Sequence, residues 1–205
     1  MKVFIRVFIF HGNKIMTNWY KVAQNYNEKP TEKAKKLLDY TQITDNIYIG
    51  EAPWEANLDT LNDLGITAVL AFDILDENEA EELRKRGIDY KAIFFTDFGV
   101  PNQTQLAEAI SYINRVLSSS GKIYIHCLGG IGRSPLVLYM YFLGVGINPV
   151  KAMQLIKKRF LDLSDGQIDY IIWSLRKAGH NQNIIQQVFD GLYNPIEYKE
   201  KHSAW

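Results

Sequence analysis

A single cysteine, Cys127, stands in this chain of 205 residues. One thiol cannot close an internal disulfide, nor can it supply the clustered thiolates of a structural zinc site. Such scarcity fits a protein that works in a reducing compartment. No charge excess is present either, since 23 Lys and Arg face 23 Asp and Glu. No overall field therefore draws the chain to nucleic acid or to an anionic membrane. Any affinity for an anion has to come from a local site. Long hydrophobic runs are missing too. The opening MKVFIRVFIF is split by Arg6, is too short to span a bilayer and is followed by no small-residue cleavage site. Its alternation of Val3, Ile5, Val7 and Ile9 predicts an edge strand, or else an extension upstream of a second start at Met16. The expectation is a cytoplasmic monomer with no nucleic-acid or membrane partner.

Hydrophobic residues at 47% and aromatics at 13% describe a globular chain, and the length suits one domain with a sizeable core. Residues 1–40 are expected as an N-terminal extension, polar and lysine-rich in its second half and interrupted by Pro30. The compact domain is expected over residues 41–178, and a C-terminal helical tail over 179–205, with a short helix at NIIQQVF. Within the domain, QITDNIYIG, ITAVLAF, IDYKAIFF and KIYIH read as strands. Between them, NLDTLNDLG, ENEAEELRKRG and the series Leu106, Ile110, Ile113 and Leu117 read as helices. After the last strand, LVLYMYFLG is apolar on every side and predicts a central buried helix. Val150, Met153, Ile156 and Phe160 predict one further helix face, and Ile168, Ile171 and Leu175 another. This alternation predicts an α/β fold, a central, mainly parallel sheet flanked by helices.

The lone cysteine lies in KIYIHCLGGIGRS, residues 122–134. A buried strand ends at His126 and a buried helix opens near Ser134. Between them Gly129, Gly130 and Gly132 let the backbone curl tightly and turn its N–H groups inward. Inward amides at a helix N-terminus form an oxyanion cradle, and the guanidinium fork of Arg133 can grip two oxygens of a tetrahedral anion. Helix N-termini and neighbouring arginines also favour the thiolate form of a cysteine. A phosphorus held in that cradle would sit above a ready nucleophile.

His126 and Cys127, five intervening residues, then Arg133 and Ser134 resemble the signature of the cysteine-dependent protein tyrosine phosphatases. The compact domain resembles their dual-specificity branch, and HCLGGIGRS is similar to the loop of kinase-associated phosphatases. The resemblance implies a fold of the dual-specificity phosphatase type and a phosphocysteine intermediate. It implies that Cys127 is the nucleophile and that Leu128, Gly129, Gly130, Ile131, Gly132 and Arg133 bind the substrate phosphate. An acid is implied about thirty residues upstream. Asp97, in FFTDFGVPN, lies 30 positions before Cys127, with Asp73 and Asp76 as runners-up. Ser134 is implied to help the sulfur depart, with helix N-capping as its plainer role. His126 is implied as a supporting residue that braces the loop. Gln167, in SDGQIDYI, resembles the glutamine that positions the hydrolytic water, or is an ordinary polar residue at a helix start.

A phosphorylated protein side chain is the expected substrate, because residues 128–131 offer no lysine for the extra phosphates of an inositol lipid. Lys157, Lys158 and Arg159 read as a solvated helix face or as a contact for acidic substrate flanks. A lipid or RNA phosphatase of the same mechanism, a non-catalytic phospho-binding module and a rhodanese-type sulfur transferase are the alternatives. No cofactor or metal is expected, since neither a dinucleotide fingerprint nor a ligand cluster occurs.

Overall fold

The structure is a computed structural model and describes residues 37–74 and 76–193. The strand expected at residues 3–9, the second start at Met16, the Pro30 region and the end of the tail lie outside the described residues. Five strands, β1 (Tyr40–Thr44), β2 (Ile47–Gly50), β3 (Ala68–Ala71), β4 (Asp89–Ala92) and β5 (Ile123–His126), form one sheet in the order β1-β2-β5-β3-β4. Three of its four pairings are parallel. The exception is β1, which the two residues Asp45 and Asn46 fold back against β2 as an antiparallel edge. The expected α/β class with a mainly parallel sheet is what the chain adopts.

Period-two alternation explains why the sheet is covered twice. Ile47, Ile49, Leu70, Ile123 and Ile125 face one core, whereas Tyr48, Val69 and Tyr124 face another. The second core is closed by α1 (Leu58–Asp63), through Leu58 and Leu61, and by α2 (Glu77–Lys85), through Leu83. The first is closed by α3 (Gln103–Ser118), α4 (Arg133–Gly144), α5 (Pro149–Ile156), α6 (Asp165–Lys177) and α7 (Gln182–Tyr193). Leu136, Val137, Leu138 and Tyr139 of α4 are all fully buried, so the helix with no polar face runs through the centre as its composition predicts.

Two boundaries differ from the sequence expectation. Ile185 and Val188 of α7 lie in the same core as α4 and α6, so the compact unit runs past residue 178. At the other end it begins before residue 41, because Leu38 is already buried in the second core. A third difference concerns α5, which stops at Ile156 and leaves Phe160 off its apolar face and partly exposed. The chain leaves the helix there because Arg159 turns inward, for a reason given below.

Strand order positions the site. Because β2, β3, β4 and β5 run parallel, their C-terminal ends lie side by side: Gly50 opposite His126, His126 opposite Ala71, and Ala71 opposite Ala92. The segments that follow these strands therefore leave the same edge of the sheet, where ligands of open α/β sheets bind.

The burial of α7 predicts a stability effect. Ile185→Ala should lower the unfolding free energy by about 2–5 kcal/mol, read from the urea midpoint. A change under about 0.5 kcal/mol, the range of neutral surface substitutions, would place α7 outside the cooperative core.

Candidate active site

The loop from Cys127 to Gly132 joins β5 to α4, and its carbonyls are held from outside. Leu128 O accepts from Ala52 N at 3.0 Å, Ile131 O from Asp162 N at 2.9 Å and Gly132 O from Leu136 N at 3.2 Å. Gly129 O accepts from Arg159 Nη2 at 2.8 Å and Gly130 O from Arg159 Nε at 2.9 Å. In a trans peptide the N–H points opposite to the C=O. Each outward carbonyl therefore turns the next residue's amide toward the inside of the loop, from Gly129 to Arg133. None of these five amides makes a backbone hydrogen bond among the described residues outside helices and strands. Cys127 is almost fully buried at the base of the loop.

Gly130 shows why glycine stands here. Its φ is +67°, in the left-handed region, and a Cβ on it would overlap the carbonyl of Gly50. The loop can lie this close to β2 only without a side chain.

Arg159 is the residue that sequence reasoning misplaced. It is buried, not solvated, and its guanidinium reaches Asp39 Oδ2 at 2.9 Å as well as both glycine carbonyls. Its neighbour Lys158 donates to Ile43 O at 2.6 Å. A run of three basic residues has no hydrophobic periodicity to mark one member as buried. Only the acceptors contributed by the loop and by Asp39 make an interior position favourable.

Arg133 is buried as well. Its Nη1 donates to Phe72 O at 2.5 Å and to Phe95 O at 3.2 Å, which fixes the fork against the ends of β3 and β4. Asp97 Oδ1 lies 3.2 Å from Arg133 Nε, an ion pair without an aligned hydrogen bond. The structure thus brings the expected acid to the expected arginine. Of the runners-up, Asp73 also approaches, with Oδ2 at 3.5 Å from Arg133 Nη2. Asp76 does not: it caps α2, accepting from Asn78 N and Glu79 N. Asp162, unremarked in the sequence, lies near enough to Asp97 to feel its charge. Partial burial, aided by that repulsion, raises its carboxyl above the usual range.

Ser134 is fully buried, and its Oγ has no hydrogen-bond partner among the described residues. It does not cap α4. The N-cap is Gly132 and Arg133 is the first helical residue, so Ser134 lies two positions past the capping residue. His126 is buried with Nδ1 3.2 Å from Cys127 O and Nε2 3.2 Å from Glu79 Oε1. Gln167 is fully buried near the start of α6. It lies close to the loop, since a Cβ on Gly132 would come within 3.7 Å of Gln167 Oε1.

The acid-bearing segment between β4 and α3 is itself constrained. Phe98, next to Asp97, has a φ of 58°, a conformation that costs a non-glycine residue about 1–2 kcal/mol. Its ring is 61% exposed, so packing does not offset that cost. Backbone hydrogen bonds described below hold it there.

A strand-loop-helix turn with a buried thiol, inward amides, a fixed arginine and an aspartate across from it defines a cysteine-dependent phosphatase fold of the dual-specificity type. The chain belongs to the family described as "Polymorphic toxin system, DSP-PTPase phosphatase", which it matches over residues 45–147. It is 30% identical over 164 residues to human "Dual specificity protein phosphatase 9", a match covering 79% of this chain and 38% of that protein. The chain thus spans well under half the length of such curated relatives. The crystal structure of Tk-PTP in its active form superposes with a TM-score of 0.58 at 24% identity, covering 68% of this chain and 97% of that one. Kinase associated phosphatase superposes with a TM-score of 0.56 at 19% identity, covering 70% and 97%. Among the described residues no group of His, Cys, Asp and Glu could hold a metal ion, and no helix is long and apolar enough to cross a membrane.

Loss of the Arg159 clamp should be felt in the loop. Arg159→Met leaves two carbonyls without a donor, at roughly 1–3 kcal/mol for each buried one. Vanadate affinity, followed by isothermal titration, should fall at least about tenfold. Unchanged affinity would show that the loop keeps its shape without the clamp.

Proposed function

We propose that this protein hydrolyses phosphotyrosine and phosphoserine or phosphothreonine in proteins through a phosphocysteine intermediate. The observation that carries the proposal is the outward tether on every carbonyl of residues 128–132, which turns five consecutive amides to the inside of the loop above Cys127. Preorganised donors of this kind stabilise the equatorial oxygens of a transferring phosphoryl group.

In the first step the Cys127 thiolate attacks phosphorus in line. The S–P bond forms as the ester P–O bond breaks, and protonated Asp97 gives its proton to the departing oxygen. Its position 3.2 Å from Arg133 Nε supports that role, because Arg133 is the group that grips the same phosphate. In the second step Asp97, now a carboxylate, takes a proton from the attacking water. The S–P bond breaks and inorganic phosphate leaves. Ser134 assists this departure by donating to the sulfur, a reading supported by its buried and otherwise unpartnered hydroxyl. His126 supports the loop through the Cys127 carbonyl, and Gln167 belongs to the same site.

A protein substrate is favoured over an inositol lipid because Leu128, Gly129, Gly130 and Ile131 present no cation at the loop. The even charge balance favours neither nucleic acid nor an anionic membrane as partner, and the single cysteine suits a reducing, cytoplasmic setting.

The reading is tested by hydrolysis of aryl phosphates, beside phosphopeptides, phosphoinositides and triphosphate-ended RNA. Cys127→Ser should abolish turnover and still bind phosphate. Asp97→Ala should lose on the order of 10²–10⁴ in rate with a poor leaving group, and much less with p-nitrophenolate. Equal losses for both leaving groups would remove Asp97 from the acid role, and no turnover by the unaltered protein would remove the enzyme.

A further inference from the structure

Resemblance assigns Gln167 to the hydrolytic water, yet each end of its side-chain amide already holds one hydrogen bond. Gln167 Oε1 accepts from Ser164 N at 3.1 Å, and Gln167 Nε2 donates to Gly99 O at 2.9 Å. The residue beside it in this arrangement is Ser164, the N-cap of α6. Ser164 Oγ accepts from Gln167 N at 3.2 Å and spends its only proton on Phe98 O at 2.7 Å. These are two consecutive carbonyls, Phe98 and Gly99, directly after the proposed acid Asp97. Phe98 has the left-handed backbone described above, and Gly99 N closes a tight turn onto Thr96 O at 3.0 Å. The acid segment is therefore pinned to the start of α6 at the point where its backbone is least relaxed.

We propose that Ser164 and Gln167 are positioning residues that form a latch: they hold the acid segment down over the phosphate loop and act on the first chemical step through Asp97, rather than on the water of the second step. Three features support the latch. The capping box fixes both donors to each other before they reach across, so neither has free rotation to lose on engagement. Gln167 is fully buried, so its bonds are shielded from bulk solvent. The two bonds span 66 and 68 positions of sequence, so they join two separate elements of the site. The proposal rests on the phosphatase reading and adds residues to its acid arm.

The two roles of Gln167 separate kinetically. The ratio kcat/KM ends at the first irreversible step, formation of phosphocysteine, so a residue that only places the second-step water leaves it unchanged. The experiment compares the unaltered protein with Ser164→Ala, Ser164→Thr and Gln167→Ala on phenyl phosphate and p-nitrophenyl phosphate. Single-turnover quenching measures trapped phosphocysteine. For the alanine variants the expected result is a fall of about tenfold in kcat/KM on phenyl phosphate, the size of one or two neutral hydrogen bonds. On p-nitrophenyl phosphate the fall should be under about threefold, with no accumulation of phosphocysteine, and Ser164→Thr should restore the hydroxyl and most of the rate.

Accumulation of phosphocysteine in Gln167→Ala with kcat/KM intact would overturn the latch and return Gln167 to the water. Equal losses on both esters, or none, would also overturn it. Vanadate binding by each variant confirms a folded loop, and hydrogen exchange at the Phe98 and Gly99 amides gives a second readout: the latch requires faster exchange in the alanine variants than in the unaltered protein. Failure of the unaltered protein to hydrolyse either ester would instead strike at the phosphatase reading itself.

Discussion

The site depends on where five consecutive peptide units send their oxygens. A loop of glycines has no preferred shape of its own, and left free it would turn some carbonyls inward, where they would repel an anion. In this protein Ala52, Arg159, Asp162 and the first turn of α4 take the carbonyls of residues 128–132 from outside. The amides then face inward, since the N–H and C=O bonds of a trans peptide unit point in opposite directions. The inner side of the loop is thereby lined by the positive ends of peptide dipoles.

Holding that loop draws on distant parts of the chain. Arg159 is itself held by Asp39, which lies 120 positions away in sequence and at the edge of the folded unit. Gly130 lies against the backbone of Gly50 because it carries no side chain itself. Arg133, the cation that faces the cradle, is steadied by carbonyls of Phe72 and Phe95 at the ends of two other strands. Buried polar groups so arranged are costly when half satisfied and rigid when fully satisfied. This explains why a catalytic loop can be built from residues that by themselves are among the most flexible.

Legibility in the sequence followed the range of the interactions. Cys127, the glycines and Arg133 stand within seven residues, so their shared geometry was visible as a strand, a turn and a helix start. Asp97 was singled out as the candidate acid by the spacing that the resemblance implies and by the glycine and proline behind it, and it lies beside Arg133. Ser134 was expected to help the sulfur depart, with N-capping as its plainer role; Gly132 holds the N-cap, and the Ser134 hydroxyl has no hydrogen-bond partner among the described residues. Arg159 looked like one more surface cation, and Phe160 like the last member of an apolar stripe. Both impressions failed for one reason: the chain unwinds after Ile156 to carry Arg159 beneath the loop.

Apolar spacing and turn residues alone determined the layered α/β class, the buried central helix and the strand-turn-helix setting of Cys127, because each is a property of neighbours along the chain. Tertiary structure alone decided that four parallel strand ends would meet, that Arg159 would be interior and that Ser164 and Gln167 would grip the acid segment. Those outcomes turn on which acceptor lies opposite which donor once dozens of residues of intervening chain have been folded away, and no local pattern carries that information.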